Sequence, residues 1–307
     1  MSELIFRPQR QPLVQPGQIE HHVGDLTVTA CAQIPLARLQ EQLAMHDQWL
    51  PIDGDPNLPV GELVQINSTG PLRLGFGAWR DLLLGVQFAT ASGKLITAGG
   101  RTMKNVAGYD LTKFMVGQHG LFGTLVTITA RTWKRPTAAL LVRFSPDARL
   151  VGQLLPTPLR PQWAMLAEGS LWCGYLGDQR SIDYYQANVA SWRPLEVRRH
   201  TPQQDIDFRA ARWLAPDWPG QRFRASVPPA RVVQFLDRLA LPHSAADAAF
   251  GIVVGTCPAD QTQRLVELTA SVAGRVFFQD AASLQRRFHE DNPEAALLRR
   301  LKSAFDA

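Results

Sequence analysis

Apolar and polar residues alternate through "DLTVTACAQI" (25–34), the period of a half-buried strand. The period then changes. In "PLARLQEQLAMHDQWL" (35–50), Leu36, Leu39, Leu43 and Ala44 recur at helical spacing behind Pro35, which predicts a helix over that stretch. Residues 1–20 are rich in Pro and Gln and carry no period, and "PIDGDPNLPVGE" (51–62) reads as a loop. "DLLLGVQFATASGKLITAGG" (81–100) predicts two strands around the turn "ASGK", and "TLVTITARTWKRP" (124–136) one long strand that Pro136 stops.

Beyond that proline the glycines thin out and strands alternate with helices. "ALLVRFS" reads as a strand, "PDARLVGQLL" as a helix, "QWAMLAEG" and "SLWCGYLGD" as a hairpin, and "QRSIDYYQANVASW" as a helix. The series continues with strand "QRFRASV", helix "PARVVQFLDRLA", strand "AAFGIVVGT", helix "ADQTQRLVELTASVAG" and strand "RVFFQD". Such a mixture suggests an antiparallel sheet with helices on one face, an α+β lobe. "NPEAALLRRLKSAFDA" closes the chain as a helix capped by Asn292, with Pro293 at its first position and Leu297, Leu298, Leu301 and Phe305 as its apolar face. The predicted division is 1–137 and 138–307, with the last helix returning to the first domain.

One segment breaks the ordinary pattern. "KNVAGYDLTKFMVGQHGLFGTLVTITART" (104–132) holds four of the chain's 23 glycines, three of them spaced by three residues in "GQHGLFG". Glycine costs order unless the backbone needs positive φ or a close approach, so the loop is bent around something. It is no Walker A loop, lacking Gly-Lys-[Ser/Thr], and no strand feeds it as a dinucleotide fingerprint requires. A structural turn and a ligand-approaching loop both satisfy these residues. Asp110 is placed to cap a short helix in "YDLTKF".

The order of several motifs adds more. "VGELVQINSTGPLRLGFGAWRDLLLG" (60–85), the "ASGK" hairpin, "GGRTMKNVAGYDLTKFMVGQHGLFG" and the closing strand together resemble the second half of the FAD-binding domain of PCMH-type, vanillyl-alcohol-oxidase-like flavoproteins. Within that superfamily, "NSTGPLR", "RDLLLG" and "KNVAGYDLTK" are similar to the FAD-binding E subunits of glycolate oxidase complexes, over residues 20–137.

The resemblance implies a two-lobed α+β fold: a PCMH-type FAD-binding lobe without its N-terminal part, and an antiparallel-sheet cap lobe. It implies FAD held by Gly61, Asn67, Ser68 and Gly70, with main-chain approach at Gly117, Gly120, Gly123 and Leu125, and cations at Arg73 and Lys104. A positive charge there would steady a reduced flavin or a substrate carboxylate. The implied partners are flavoprotein and iron–sulfur subunits and a small 2-hydroxy acid. The implied reaction is hydride transfer from that acid to flavin. The alternative is a non-catalytic assembly subunit of the same complex with weak or lost FAD binding.

The chain also departs from that family's pattern. A Gly-Gly-Gly-Thr loop is missing before "DLTVTA", Glu62 follows Gly61 where the family has a second glycine, His119 stands where relatives carry Glu, and an Asn-Pro-Gly tail is absent. A carboxylate at position 62 would repel a phosphate unless it points away. No catalytic residue is named: His200, His243 and His289 are isolated, and His21–His22 lie in the unpatterned start.

Bulk composition narrows the class little further. Across 307 residues, 32 Lys+Arg stand against 27 Asp+Glu, a mild excess without the basic block of a nucleic-acid tail. Cys31, Cys173 and Cys257 are too scattered for a disulfide framework, zinc site or iron–sulfur cluster. With neither a signal-peptide core nor a membrane span, the expectation is a cytoplasmic protein, with peripheral attachment to the inner membrane through a partner left open.

Overall fold

A computed structural model of the chain describes residues 15–101, 110–213, 218–278 and 293–306. It divides into two units. The first holds the chain to Thr69, then Gly77–Arg135 and the C-terminal helix Pro293–Asp306; the second holds Gly70–Phe76 and the chain from Pro136.

The first unit is built on strands β1 (Ile19–His22), β2 (Thr27–Cys31), β4 (Leu83–Ala89), β5 (Leu95–Gly99) and β6 (Thr124–Arg131), with the short pair β3 (Gln48–Trp49) and β7 (Trp133–Lys134) beside them. Its main sheet runs β1-β2-β6-β4-β5, antiparallel throughout. Val28, Ala30, Val86, Phe88, Ile128 and Ala130 from its strands meet Leu36, Leu39 and Leu43 of α1 (Leu36–Ala44) in one buried core. Each such leucine stabilises the fold by about 1.5–3 kcal/mol.

Three local readings need correction. The helix expected over 35–50 ends at Ala44, because Asp47 takes a left-handed φ of 53° and Gln48–Trp49 turn into strand. The unpatterned start contains β1, an edge strand whose residues are all half-buried and so show no alternation. The expected loop 51–62 gives way at Val60 to α2 (Val60–Gln65). In the C-terminal helix Leu298 and Leu301 join the first core, whereas Leu297 is exposed; Asn292 and the Phe305 side chain lie outside the described residues.

In the second unit eight strands form one antiparallel sheet. They are β8 (Ala138–Phe144), β9 (Trp163–Ala167), β10 (Ser170–Gly177), β11 (Glu196–His200), β12 (Gln221–Ser226), β13 (Ser244–Asp247), β14 (Ile252–Cys257) and β15 (Arg275–Phe278). Their order is β11-β8-β10-β9-β13-β14-β12-β15. One face carries Leu140, Val142, Leu166, Tyr175 and Phe223, packed with residues of helices Gln179–Val189, Val232–Leu239 and Thr262–Ser271.

The opposite face is covered too, contrary to the one-face expectation. Helix Pro202–Trp213 lies there: Asp205 accepts a 2.9 Å hydrogen bond from Trp163 Nε1, and Phe208 packs on Trp172. Trp163 lies flat above Gly174, where any Cβ would sit 1.9 Å from its Nε1. Asp205 and Arg209 pair at 3.1 Å, almost wholly buried, and burial pushes the Asp205 carboxyl up to about 7.

Candidate functional site

The glycine-rich loop 117–123 belongs to the first unit, and so do Asn67 and Ser68. Main-chain bonds tie them together. The amide of Gly117 donates to Val64 O at 3.0 Å and that of His119 to Gln65 O at 3.0 Å, so the loop rests on the C-terminal end of α2. A Cβ on Gly117 would come within 3.3 Å of Asn67 Cβ.

Gln118, buried and overlooked in the sequence, sets the shape of the loop. Its amide donates to Gly123 O and its carbonyl accepts from Phe122 N, each at 2.9 Å, closing the turn across its base. From the C-terminal helix Lys302 Nζ donates to Leu121 O at 3.2 Å. Just upstream, Asp110 caps Leu111–Phe114 as expected, accepting from Lys113 N at 3.1 Å.

The implied cofactor residues separate by what each touches. Gly61 sits at the start of α2, where its amide donates to Ala32 O at 2.8 Å and a Cβ would lie 2.6 Å from Ala32 Cβ, so packing alone requires glycine. Gly123, at φ 140°, is likewise pressed against β4: a Cβ would lie 2.5 Å from Ala89 O. Leu125 pairs with Phe88 and turns its side chain into the core. Ser68 Oγ donates to Asp53 O at 3.1 Å.

Three positions have no such internal account. Gly120 has φ 79° with nothing within 4 Å of a built Cβ. Gly117 adopts φ 78° against Asn67 only. Asn67 itself has φ 51°, and its Oδ1 is buried without a hydrogen-bond partner. Gly70 and Arg73 fall in the second unit, where the Arg73 guanidinium stacks 4.0 Å over the Phe250 ring. Lys104 lies outside the described residues. Glu62 is exposed, on the first turn of α2.

Of the two histidines in the unpatterned start, His21 ties into the fold. His21 Nε2 meets Gln48 Oε1 at 2.9 Å, and the same oxygen accepts from Thr132 Oγ1, a knot that ties β1 to the β3–β7 pair. No group of three or more His, Cys, Asp or Glu among the described residues could hold a metal ion.

No family model matches the chain. It is 35% identical over 130 residues to glycolate oxidase subunit GlcE of Escherichia coli (strain K12), covering 41% of this chain and 37% of that protein. Glycolate oxidase subunit GlcD of Bacillus subtilis (strain 168) is 27% identical over 167 residues, 52% of this chain and 34% of its own length. The mitochondrial D-lactate dehydrogenase [cytochrome] of Arabidopsis thaliana is 30% identical over 115 residues, 38% and 20% respectively. The matches thus span between a fifth and two fifths of these relatives' lengths. A solved structure of alkyldihydroxyacetonephosphate synthase superposes over 92% of this chain and 62% of its own, with a TM-score of 0.63 at 12% identity. At 12% identity that likeness shows the fold, a PCMH-type FAD-binding fold.

Two features of the first unit fit the flavin that such a fold implies. Asn67 Oδ1, buried and unpartnered, and the open side of Gly120 are features a ligand would complete. They fit at these positions. Gly61, Ser68, Gly123 and Leu125 are already occupied with the fold of the first unit itself.

Proposed function

We propose that the chain is the FAD-binding subunit of a glycolate (2-hydroxy acid) oxidase complex. The observation that carries this reading is the loop 117–123, held in left-handed turns by Gln118 with Gly120 facing open space, next to the unpartnered Oδ1 of Asn67. The likeness to glycolate oxidase subunits and D-lactate dehydrogenases supports the choice of substrate class. Asn67 and the main chain of Gly117 and Gly120 would hold FAD, which supplies the hydride acceptor when bound. Gly61, Ser68, Gly123 and Leu125 support the site from behind. Flavoprotein and iron–sulfur subunits are the proposed partners. Among the described residues no helix is long and apolar enough to cross a membrane.

A second reading has its own support. Gly61, Gly123, Ser68 and Leu125 are each required by packing or an internal hydrogen bond, so they would persist in a non-catalytic assembly subunit that had lost the cofactor. Absorbance separates the two. The first reading expects flavin bands on the purified protein, or stoichiometric uptake of added FAD. A colourless protein that takes up none sinks it in favour of the second.

A further inference from the structure

Two side chains from distant parts of the chain hold the same peptide group of the loop 117–123. The N–H of Phe122 donates to Gln118 Oε1 at 2.9 Å, while the carbonyl of that peptide, Leu121 O, accepts from Lys302 Nζ at 3.2 Å. Gln118 belongs to the loop itself. Lys302 arrives 181 residues after Leu121, on the C-terminal helix Pro293–Asp306.

The packing of that helix delivers the lysine. Leu298, Leu301 and Lys302 lie at helical spacing on one face, and both leucines pack against the first core, as do Leu121 and Phe122 of the loop. Ala295, on the same side of the helix, is buried. Arg299 and Arg300 are exposed, whereas Lys302 is half-buried and turns its ammonium to a main-chain carbonyl.

A loop rich in glycine needs such restraints. Gly117, Gly120 and Gly123 all have positive φ, yet glycine reaches many other conformations at little cost. These residues permit the turn without fixing which way each peptide plane faces. The Leu121–Phe122 plane follows directly on Gly120, whose built Cβ meets nothing within 4 Å. Gln118 restrains the N–H of that plane from within the loop. Lys302 restrains its carbonyl from a separate element, and a charged donor makes the stronger bond.

We infer that the C-terminal helix clamps the loop 117–123 through Lys302, which makes Lys302 a positioning residue for FAD. The identity of the ligand rests on the function proposed above, whereas the clamp rests on the helix and the loop alone. Such coupling is reciprocal: where docking of the helix favours FAD binding, bound FAD favours docking by the same factor.

Three variants of the full chain test this. Lys302→Met keeps the aliphatic stem and removes the donor, Lys302→Arg restores a donor, and Arg300→Met removes an exposed charge from the same helix. Hydrogen–deuterium exchange without FAD reads the clamp. The amide of Phe122 and its loop neighbours should exchange about tenfold faster in Lys302→Met and at the unaltered rate in Arg300→Met. FAD titration reads the positioning, with affinity about tenfold weaker in Lys302→Met and recovered to within about twofold in Lys302→Arg. Saturating FAD should also slow exchange at residues 298–302 in the unaltered protein and not in Lys302→Met, a link that a merely structural contact does not produce. Circular dichroism establishes that each variant is folded; where Lys302→Met is not, Lys302→Gln carries the test. Unchanged loop exchange in the folded variant overturns the clamp. Faster exchange with unchanged FAD affinity overturns the positioning role, as does an equal loss of affinity in Arg300→Met. An unaltered protein that takes up no FAD defeats the flavin reading, while loop exchange still decides the clamp.

Discussion

Gly120→Ala and Gly123→Ala set a glycine facing open space against one pressed into protein, in the same loop. At Gly120 the backbone has φ 79° and a built Cβ meets nothing within 4 Å. Alanine there pays only for a left-handed backbone, about 1 kcal/mol, which lowers the melting temperature by roughly 2–4 °C. At Gly123 the φ is 140° and the Cβ would stand 2.5 Å from Ala89 O and 3.0 Å from the Phe88 ring. The strained backbone adds about 1–3 kcal/mol and the overpacking of β4 a similar amount, so the melting temperature should fall by on the order of 10 °C. FAD affinity should show the opposite ranking. A methyl at Gly120 occupies the side left for a ligand and should weaken binding at least tenfold at a temperature where the variant is fully folded. Thermal melts followed by circular dichroism, with FAD titration at 15 °C, read both quantities. Equal melting temperatures for the two variants would refute the assignment of Gly123 to packing. An unchanged FAD affinity in folded Gly120→Ala would refute the assignment of Gly120 to the ligand.

Three further outcomes follow from the same structure. Glu62 is exposed on the first turn of α2, so Glu62→Gly should leave FAD affinity unchanged and cost roughly 1 kcal/mol of stability through helix propensity, measured by denaturant unfolding. Asp247 has a folded-state pKa of about 7, above its unfolded value near 3.8, so the folded state holds the extra proton and stability falls as pH rises from about 4 to 7. Asp247→Asn should therefore compare better with the unaltered protein at pH 8 than at pH 5 in urea melts; the reverse trend would contradict the sign. Gly174→Ala must displace the Trp163 ring from its place 1.9 Å away and break its bond to Asp205, costing about 3 kcal/mol or more, with a shift in tryptophan emission as the direct readout.

The long strands and amphipathic helices were legible in the chain because each shows one period over many residues. The segments that escaped notice lack that signal for identifiable reasons. β11 reads "EVRRH" and is exposed along most of its length, so no alternation separates an inner from an outer face. β13 is four residues, "SAAD", too short for a pattern. Helix Pro202–Trp213 buries Asp205 and Arg209 alongside Trp213, so its inner face looks polar until the Trp163 and Phe208 contacts are known.

The same division runs through the candidate site. Sequence alone determined that the backbone of 117–123 must turn through left-handed conformations, because clustered glycine has few other uses and the three residues do adopt positive φ. It could not assign those glycines to tasks. Gly61 answers to Ala32 and Gly123 to Ala89, partners supplied by other strands of the sheet. Nor could it bring Arg73 against Phe250, since they come from a short helix and a turn far apart along the chain. Conformational need is local and leaves its mark in residue type. Steric contact and charge balance depend on which distant residues come within a few ångströms, and only the folded chain decides that.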